Sequence, residues 1–230
     1  MHPRSWATAR TSSAPRVSRV TEVALSSPQS PKRWRNAMKQ VFTALALGTL
    51  LIGAPALADA EVGKPAPTFT LKDESGKEHT LAQYKGKVVV LEWTNPECPF
   101  VQRHYKNDTM VTTLKGFDAK KVVWLAVDST AHNTPEKSAA WKKDEGFPYP
   151  VLQDASGTVG KSYGAKTTPH MYVIDETGVV RYAGAIDDDP RGKNAKPANH
   201  VKTAVDAVVG GQQVPASTTT PYGCSVKYKS

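Results

Sequence analysis

Apolar residues along this chain follow two spacings that take turns. Lys87–Trp93 is β-branched and almost continuously apolar, the pattern of a strand buried on both faces, and Lys121–Val127 repeats it. Phe69–Leu71 and Tyr149–Leu152 read as shorter strands, and Asp73–Lys77 as a tight turn rich in turn formers. Pro99–Leu114 is compatible with a helix. A second helix begins with Thr134 as cap and Pro135 in its first position, and it ends near Gly146. Ser156–Tyr163 is a short helix closed by Gly164. Met171–Ile174 and Val179–Ala183 flank Asp175-Glu176-Thr177-Gly178, a hairpin signal. Asn199–Val209 puts Val201, Ala204, Val205 and Val208 on one helical face, and Gly210-Gly211 ends it. Gln212–Ser230 has no period and reads as a tail. The order predicts an α/β fold, a sheet with helices on both faces, without internal repeat or second domain.

The N-terminal region reads as a leader. Met38-Lys39-Gln40 opens a positive segment, Val41–Ile52 is apolar, and Ala56-Leu57-Ala58 has the small-x-small form of a cleavage site. The apolar run is shorter than the ~20 residues of a membrane span. The expectation is therefore a signal peptide over 38–58, cleavage after Ala58, and a periplasmic or secreted product with no stable membrane span. Residues 1–37, rich in Arg, Ser and Pro, read as an extension ahead of the true start at Met38. A single folded domain is expected over 59–211 and a tail carrying Cys224 over 212–230.

Removing the leader changes the charge. The whole chain carries 30 Lys and Arg against 21 Asp and Glu, a net +9. Residues 1–58 hold eight of the bases and one acid, so the remainder has a net charge of +2. No concentrated basic face remains for a nucleic acid.

Both cysteines lie in the part that folds. Cys98 follows the apolar strand inside Trp93-Thr94-Asn95-Pro96-Glu97-Cys98-Pro99-Phe100, and Cys224 sits in Tyr222-Gly223-Cys224-Ser225-Val226-Lys227-Tyr228. A thiol at the start of a helix meets free N–H groups and the positive end of the helix dipole, which favour a thiolate. Thr94 and Asn95 are placed to add hydrogen bonds to the sulfur, and Arg103 and His104 to add charge if they point back. Glu92 is a carboxylate in an apolar strand, and that is costly unless it is paired. It reads either as a proton shuttle for Cys98 or as a group paired with Lys or solvent.

The chain resembles the redoxin branch of the thioredoxin-like proteins, which includes alkyl hydroperoxide reductase and thiol-specific antioxidant proteins. The resemblance rests on Val62-Gly63-Lys64-Pro65-Ala66-Pro67-Thr68-Phe69-Thr70-Leu71, Tyr84–Val90, the Cys98 segment, Thr168-Pro169, Val173–Gly178 and the terminal Gly223–Tyr228. It implies a thioredoxin-like fold with a central mixed sheet, a cis Pro169 facing the reactive cysteine, and Thr168 and Pro169 facing an extended substrate segment. It also implies a thiol oxidoreductase, peroxiredoxin-like, with Cys98 attacking a peroxide or a disulfide and Cys224 resolving. A thiol reductant protein would close the cycle, without cofactor or bound metal. Two positions depart from the relatives. Asn95 replaces the first cysteine of Cys-x-x-Cys and the threonine of Thr-x-x-Cys, and no arginine matches the peroxide-polarising one, Arg103 and Arg181 being the candidates.

Other readings stay open. Cys98 and Cys224 could form a permanent structural bridge in a catalytically quiet protein. A metal module could use either thiol with His104 or His170, although the six His residues have no ligand spacing. Asp187-Asp188-Asp189-Pro190 lacks the pattern of a calcium loop and reads as a solvated turn.

Overall fold

The computed structural model describes residues 59–229; the leader readings for 1–37 and 38–58 lie outside them. The chain runs β1 (Thr70–Asp73), β2 (Glu78–Thr80), a 3-10 turn Leu81–Tyr84, β3 (Val88–Thr94), α1 (Pro99–Lys106), α2 (Thr109–Lys115) and β4 (Val122–Asp128). It continues with α3 (Pro135–Glu145), β5 (Val151–Gln153), α4 (Thr158–Tyr163), β6 (Thr167–Thr168), β7 (His170–Ile174), β8 (Val180–Gly184), α5 (His200–Val209) and β9 (Cys224–Ser225).

Seven strands form one sheet in the order β2-β1-β5-β4-β3-β7-β8, and β6 pairs with β9 in a separate ribbon. β3, β4 and β5 are parallel, while β7 and β8 on one side and β1 and β2 on the other run antiparallel. The sheet is therefore mixed, and its two most apolar strands are neighbours at its centre. All seven residues of β3 are buried, as expected of a strand covered on both faces. Strand alternation divides them: Val88 and Val90 pack with residues of α1, α2, α3 and α5, and Val89, Leu91 and Trp93 with the α4 side. The fold is thioredoxin-like α/β, as the alternation and the resemblance implied.

The helix signals act locally. Thr134 Oγ1 accepts from Lys137 N at 3.3 Å with Pro135 in the first turn, and Gly146 closes α3 in the left-handed region at φ 67°. Two expectations need correction. Pro99–Leu114 is not one helix: it breaks at Asn107-Asp108, where Asp108 takes φ 53°, a conformation aspartate tolerates better than most residues. The tail is not free of structure either. Val214 is buried, Ser217 and Thr219 bond the backbone of Ala183 along β8, and Cys224–Ser225 forms β9.

Candidate active site

The strand that delivers Cys98 ends at Thr94, and a short turn then reverses into α1. Asn95 builds that turn: its Oδ1 accepts from Glu97 N at 2.8 Å and its carbonyl from Cys98 N at 3.0 Å. Pro99 has no N–H to lose and starts the helix, with Cys98 as its N-cap and Gln102 N donating to the Cys98 carbonyl at 2.9 Å. Gln102 Nε2 returns to the Pro96 carbonyl at 2.9 Å and pins the turn. Asn95 thus shapes the loop, and its side-chain oxygen is used on backbone rather than on sulfur. The Cys98 side chain is 1% exposed.

The second thiol arrives from the far end of the chain. β9 pairs antiparallel with β6 so that Thr168 faces Cys224 and Thr167 faces Ser225. Cys224 Sγ lies 2.8 Å from Cys98 Sγ, and Cys98 Sγ lies 3.0 Å from the Thr168 carbonyl. Both cysteines are free thiols; a covalent bridge would bring the sulfurs to ~2.05 Å. The Thr168–Pro169 peptide is cis. Gly223 makes the approach possible: a Cβ there would stand 2.0 Å from the Thr168 carbonyl oxygen, and its φ of 140° lies where side chains are strained. Thr168 and Pro169, expected to face a substrate segment, face the chain's own tail.

The two sulfurs have different protonation tendencies. Burial pushes the Cys98 thiol up, but hydrogen bonding from Cys224 and from the backbone N–H groups of Val101 and Cys224 outweighs it, so its pKa is lowered. Burial and the neighbouring Cys98 push the Cys224 thiol up to about 11. Of the two thiols, Cys98 is therefore the one that gives up its proton more readily.

Glu92 is fully buried on the same sheet face as Val88 and Val90. Among the described residues no lysine pairs with it, and its burial shuts out solvent, which corrects one of the two expectations for it. Trp124 Nε1 donates to Oε2 at 2.8 Å, Tyr105 OH lies 3.1 Å from both oxygens, and Tyr149 OH donates to Tyr105 OH at 3.0 Å. Burial raises its pKa to about 7 despite these donors. Among the described residues no hydrogen bond joins Glu92 to Cys98. Thr94 is buried at the end of β3, and its Oγ1 has no hydrogen-bond partner among the described residues.

The basic candidates sit elsewhere. Arg103 donates to the Asp189 carbonyl at 3.0 Å and the Pro190 carbonyl at 3.1 Å, and it stacks over Phe100 and Tyr222. It braces the loop after β8 instead of turning back to the sulfur. Arg181 pairs with Asp175 at 2.5 Å beyond the far end of β7, where the register sets Ile174 against Val89, the opposite end of β3 from Cys98. His104 bonds Tyr222 OH at 3.0 Å, and His170 approaches Lys166 N and Tyr172 OH at 3.3 Å, so neither is directed at a sulfur by its hydrogen bonds. Among the described residues no group of three or more His, Cys, Asp or Glu is arranged around a common point. Asp187 and Asp189 are buried, which corrects the solvated-turn reading. Asp189 caps the backbone of Lys193 and Asn194, and Asp187 accepts from Asp189 N and from Tyr222 OH.

Sequence reasoning missed what holds the tail. Tyr222 is fixed between His104 and Asp187. Tyr228 lies on two glycines: a Cβ on Gly157 would stand 2.5 Å from its ring and one on Gly160 2.6 Å from its hydroxyl, which donates to the Ala165 carbonyl at 2.8 Å. Between them Val226 N donates to the Lys166 carbonyl and Ala131 N to the Lys227 carbonyl. The available signal was Gly-x-x-Gly at 157–160 together with the two tyrosines bracketing Cys224.

Known proteins share the sequence and fold of this chain. The chain is 30% identical over 149 residues to a candidate peroxiredoxin of Mycobacterium tuberculosis, covering 60% of this chain and 88% of that one. It is 30% identical over 135 residues to the thiol:disulfide interchange protein DsbE of Vibrio cholerae, covering 56% and 68%. A crystal structure of a hypothetical protein from Sinorhizobium meliloti superposes with a TM-score of 0.66 at 29% identity, covering 74% of this chain and 96% of that one. The AhpC/TSA pattern matches residues 62–183, more than half of the sequence, and the chain belongs to the AhpC/TSA family.

Proposed function

We propose that the protein is a thiol-dependent oxidoreductase in which Cys98 attacks the oxidant and Cys224 of the same chain resolves the product. The observation that carries this is the 2.8 Å sulfur–sulfur approach between residues 126 positions apart, with the lower pKa on the buried helix-cap thiol. With a peroxide, the Cys98 thiolate forms an S–O bond as the O–O bond breaks, leaving a sulfenic acid and water once a proton is taken up. Cys224 then attacks that sulfur, an S–S bond forms, and a second water leaves. Two thiols have been oxidised and one peroxide reduced. With a disulfide the same two attacks pass through a mixed disulfide and release two thiols. A dithiol reductant protein returns the Cys98–Cys224 disulfide to the reduced pair.

Export supports this chemistry, because an oxidising compartment favours thiol–disulfide traffic. The apolar run and the Ala56-Leu57-Ala58 site are the basis for assigning it, and a mature N-terminus at Asp59 in the exported protein is the expected finding.

The test is intact mass and a non-reducing peptide map after one equivalent of hydrogen peroxide. Loss of two hydrogens with Cys98 linked to Cys224 is expected. Persistently free thiols under both peroxide and a small disulfide would overturn the reading. The same pairing would also suit a permanent structural bridge. Repeated opening and closing under a dithiol reductant separates the two, since a staple resists reduction and does not turn over.

A further inference from the structure

Thr167 and Thr168 would present an open backbone edge beside Pro169, the place where an extended polypeptide could add as a strand. Here the chain fills that edge itself. Cys224 and Ser225 take the strand register, Gly223 lies so close to the Thr168 carbonyl that not even a Cβ fits between them, and Tyr222 and Tyr228 fasten the segment at its two ends. We infer that residues 222–228 are a specificity strap that, while docked, confines Cys98 to oxidants of peroxide size and shuts out disulfides carried on polypeptides.

The inference rests on Cys98 being the attacking thiol. Its basis is the unequal disturbance that the two substrate classes require. Cys98 is 1% exposed, and Cys224, itself only half-buried, supplies part of its cover. A two-oxygen molecule asks only that the Cys224 sulfur move aside, a side-chain rotation that requires none of the β9 backbone bonds to break. A polypeptide disulfide needs the edge itself. To reach Cys98 alongside Pro169 it must unpair Cys224–Ser225 from Thr167–Thr168 and break the Val226–Lys166 and Lys227–Ala131 backbone bonds. It must also lift Tyr228 from its glycine seat or Tyr222 from His104 and Asp187. The attack is the one already described: sulfur displaces either the distal peroxide oxygen or one thiolate of a disulfide, and Cys224 completes the exchange.

The strap also places the reductant. Once the Cys98–Cys224 disulfide forms, the half-buried Cys224 sulfur is the end open to an incoming thiolate, and Cys98 then leaves as the more acidic thiol.

The experiment compares the native full chain with Tyr228→Ala and Gly223→Ala. Tyr228→Ala empties the glycine seat, and Gly223→Ala forces the strand off the Thr168 carbonyl. In each, the rate of loss of the Cys98 thiol is measured with hydrogen peroxide, with hydroxyethyl disulfide, and with an unstructured peptide dimer joined by one disulfide. Lifting the strap raises the polypeptide-competent fraction, so the peptide-dimer rate should rise about tenfold or more in both variants. The peroxide rate of Tyr228→Ala should stay within about threefold of the native value on the same basis. The strap is overturned if either variant leaves the ratio of peptide-dimer to peroxide rate unchanged. A Cys98 inert to all three oxidants in every protein would instead overturn the attacking-thiol reading beneath it.

Discussion

Cys98 and Cys224 touch, yet the fold holds them in different ways. Cys98 stands where the central buried strand meets a proline-started helix, so its position is fixed by β3, α1 and the Asn95 turn. Cys224 stands on a tail fixed by a few separable contacts: a two-residue strand, two tyrosines and a glycine. One thiol belongs to the core, and the other is held by contacts that could be broken without disturbing the sheet. The proposed cycle calls for such a difference, because a resolving cysteine must approach the attacked sulfur after the oxidant has reacted.

The largest effects should come from exchanging the two roles. Cys98→Ser should reduce peroxide consumption and disulfide formation by about a hundredfold or more, since no activated thiolate remains. Cys224→Ser should leave the first attack within about threefold and accumulate sulfenic acid or mixed disulfide, seen as added mass on the Cys98 peptide. Alkylation against pH should distinguish them as well. In the native chain Cys98 should react below the ordinary thiol range, whereas Cys224 should need a pH approaching its pKa of about 11.

Beneath Cys98 the core contains its own liability. The Glu92 carboxyl, with a native pKa of about 7 against an ordinary 4.5, binds its proton more tightly folded than unfolded. Its contribution is fully present below pH 4.5, is lost as the pH climbs to 7, and amounts to ~3 kcal/mol between those limits. Glu92→Gln should flatten that slope and raise the chemical-denaturation midpoint at pH 8, with little change at pH 4.5. An unchanged slope would mean that the carboxyl is not the titrating group. No comparable change should be seen in tail docking, because the tail does not touch Glu92 through any hydrogen bond.

The same contrast explains what could be read from the sequence. Core features announce themselves locally: the apolar runs at 87–93 and 121–127, the Thr134-Pro135 helix start and the 175–178 hairpin each carry their own pattern. The Cys98 setting was legible for that reason, and so was the anomaly of Glu92. The tail was not. A strand of two residues has no period to detect, and its order comes from contacts with partners 35 to 118 positions away, such as Asp187 and His104 for Tyr222. The direction of Arg103 was illegible for a related reason: helical spacing says which residues share a face, but the loop at 189–190 that captures its guanidinium is remote in sequence. Asp108 interrupted a helix-compatible run that composition alone did not divide.

A smaller effect tests the upstream anchor. Tyr222→Phe removes the hydroxyl shared by His104 and Asp187 and leaves a buried carboxylate one donor short. The expected loss is about 1–3 kcal/mol of tail docking, because a buried unsatisfied acceptor costs more than a bond is worth. Hydrogen exchange at Val226 N and Ala131 N should report it, with the exchange of β3 and β4 unchanged. If core and tail exchange changed together, the tail would belong to the same cooperative unit as the sheet, and the distinction between the two thiols would fail.

The smallest effect asks whether the other end of the tail is held by shape or by charge. Lys161 Nζ lies 5.6 Å from the centre of the Tyr228 ring, a cation–π approach at the surface. Such a contact contributes about 0.5–1 kcal/mol, and salt weakens an exposed charge further. The ring's contacts with Gly157 and Gly160 and its hydroxyl bond to the Ala165 carbonyl do not depend on that charge. Lys161→Ala should therefore raise exchange at Ala131 N by about fivefold at most, as a ~1 kcal/mol loss would. Raising the salt concentration should leave the native chain's tail in place. Release of the tail by salt, or by this one substitution, would mean that a charge keeps Tyr228 down; its absence would leave the glycine seat as what holds Cys224 against Cys98.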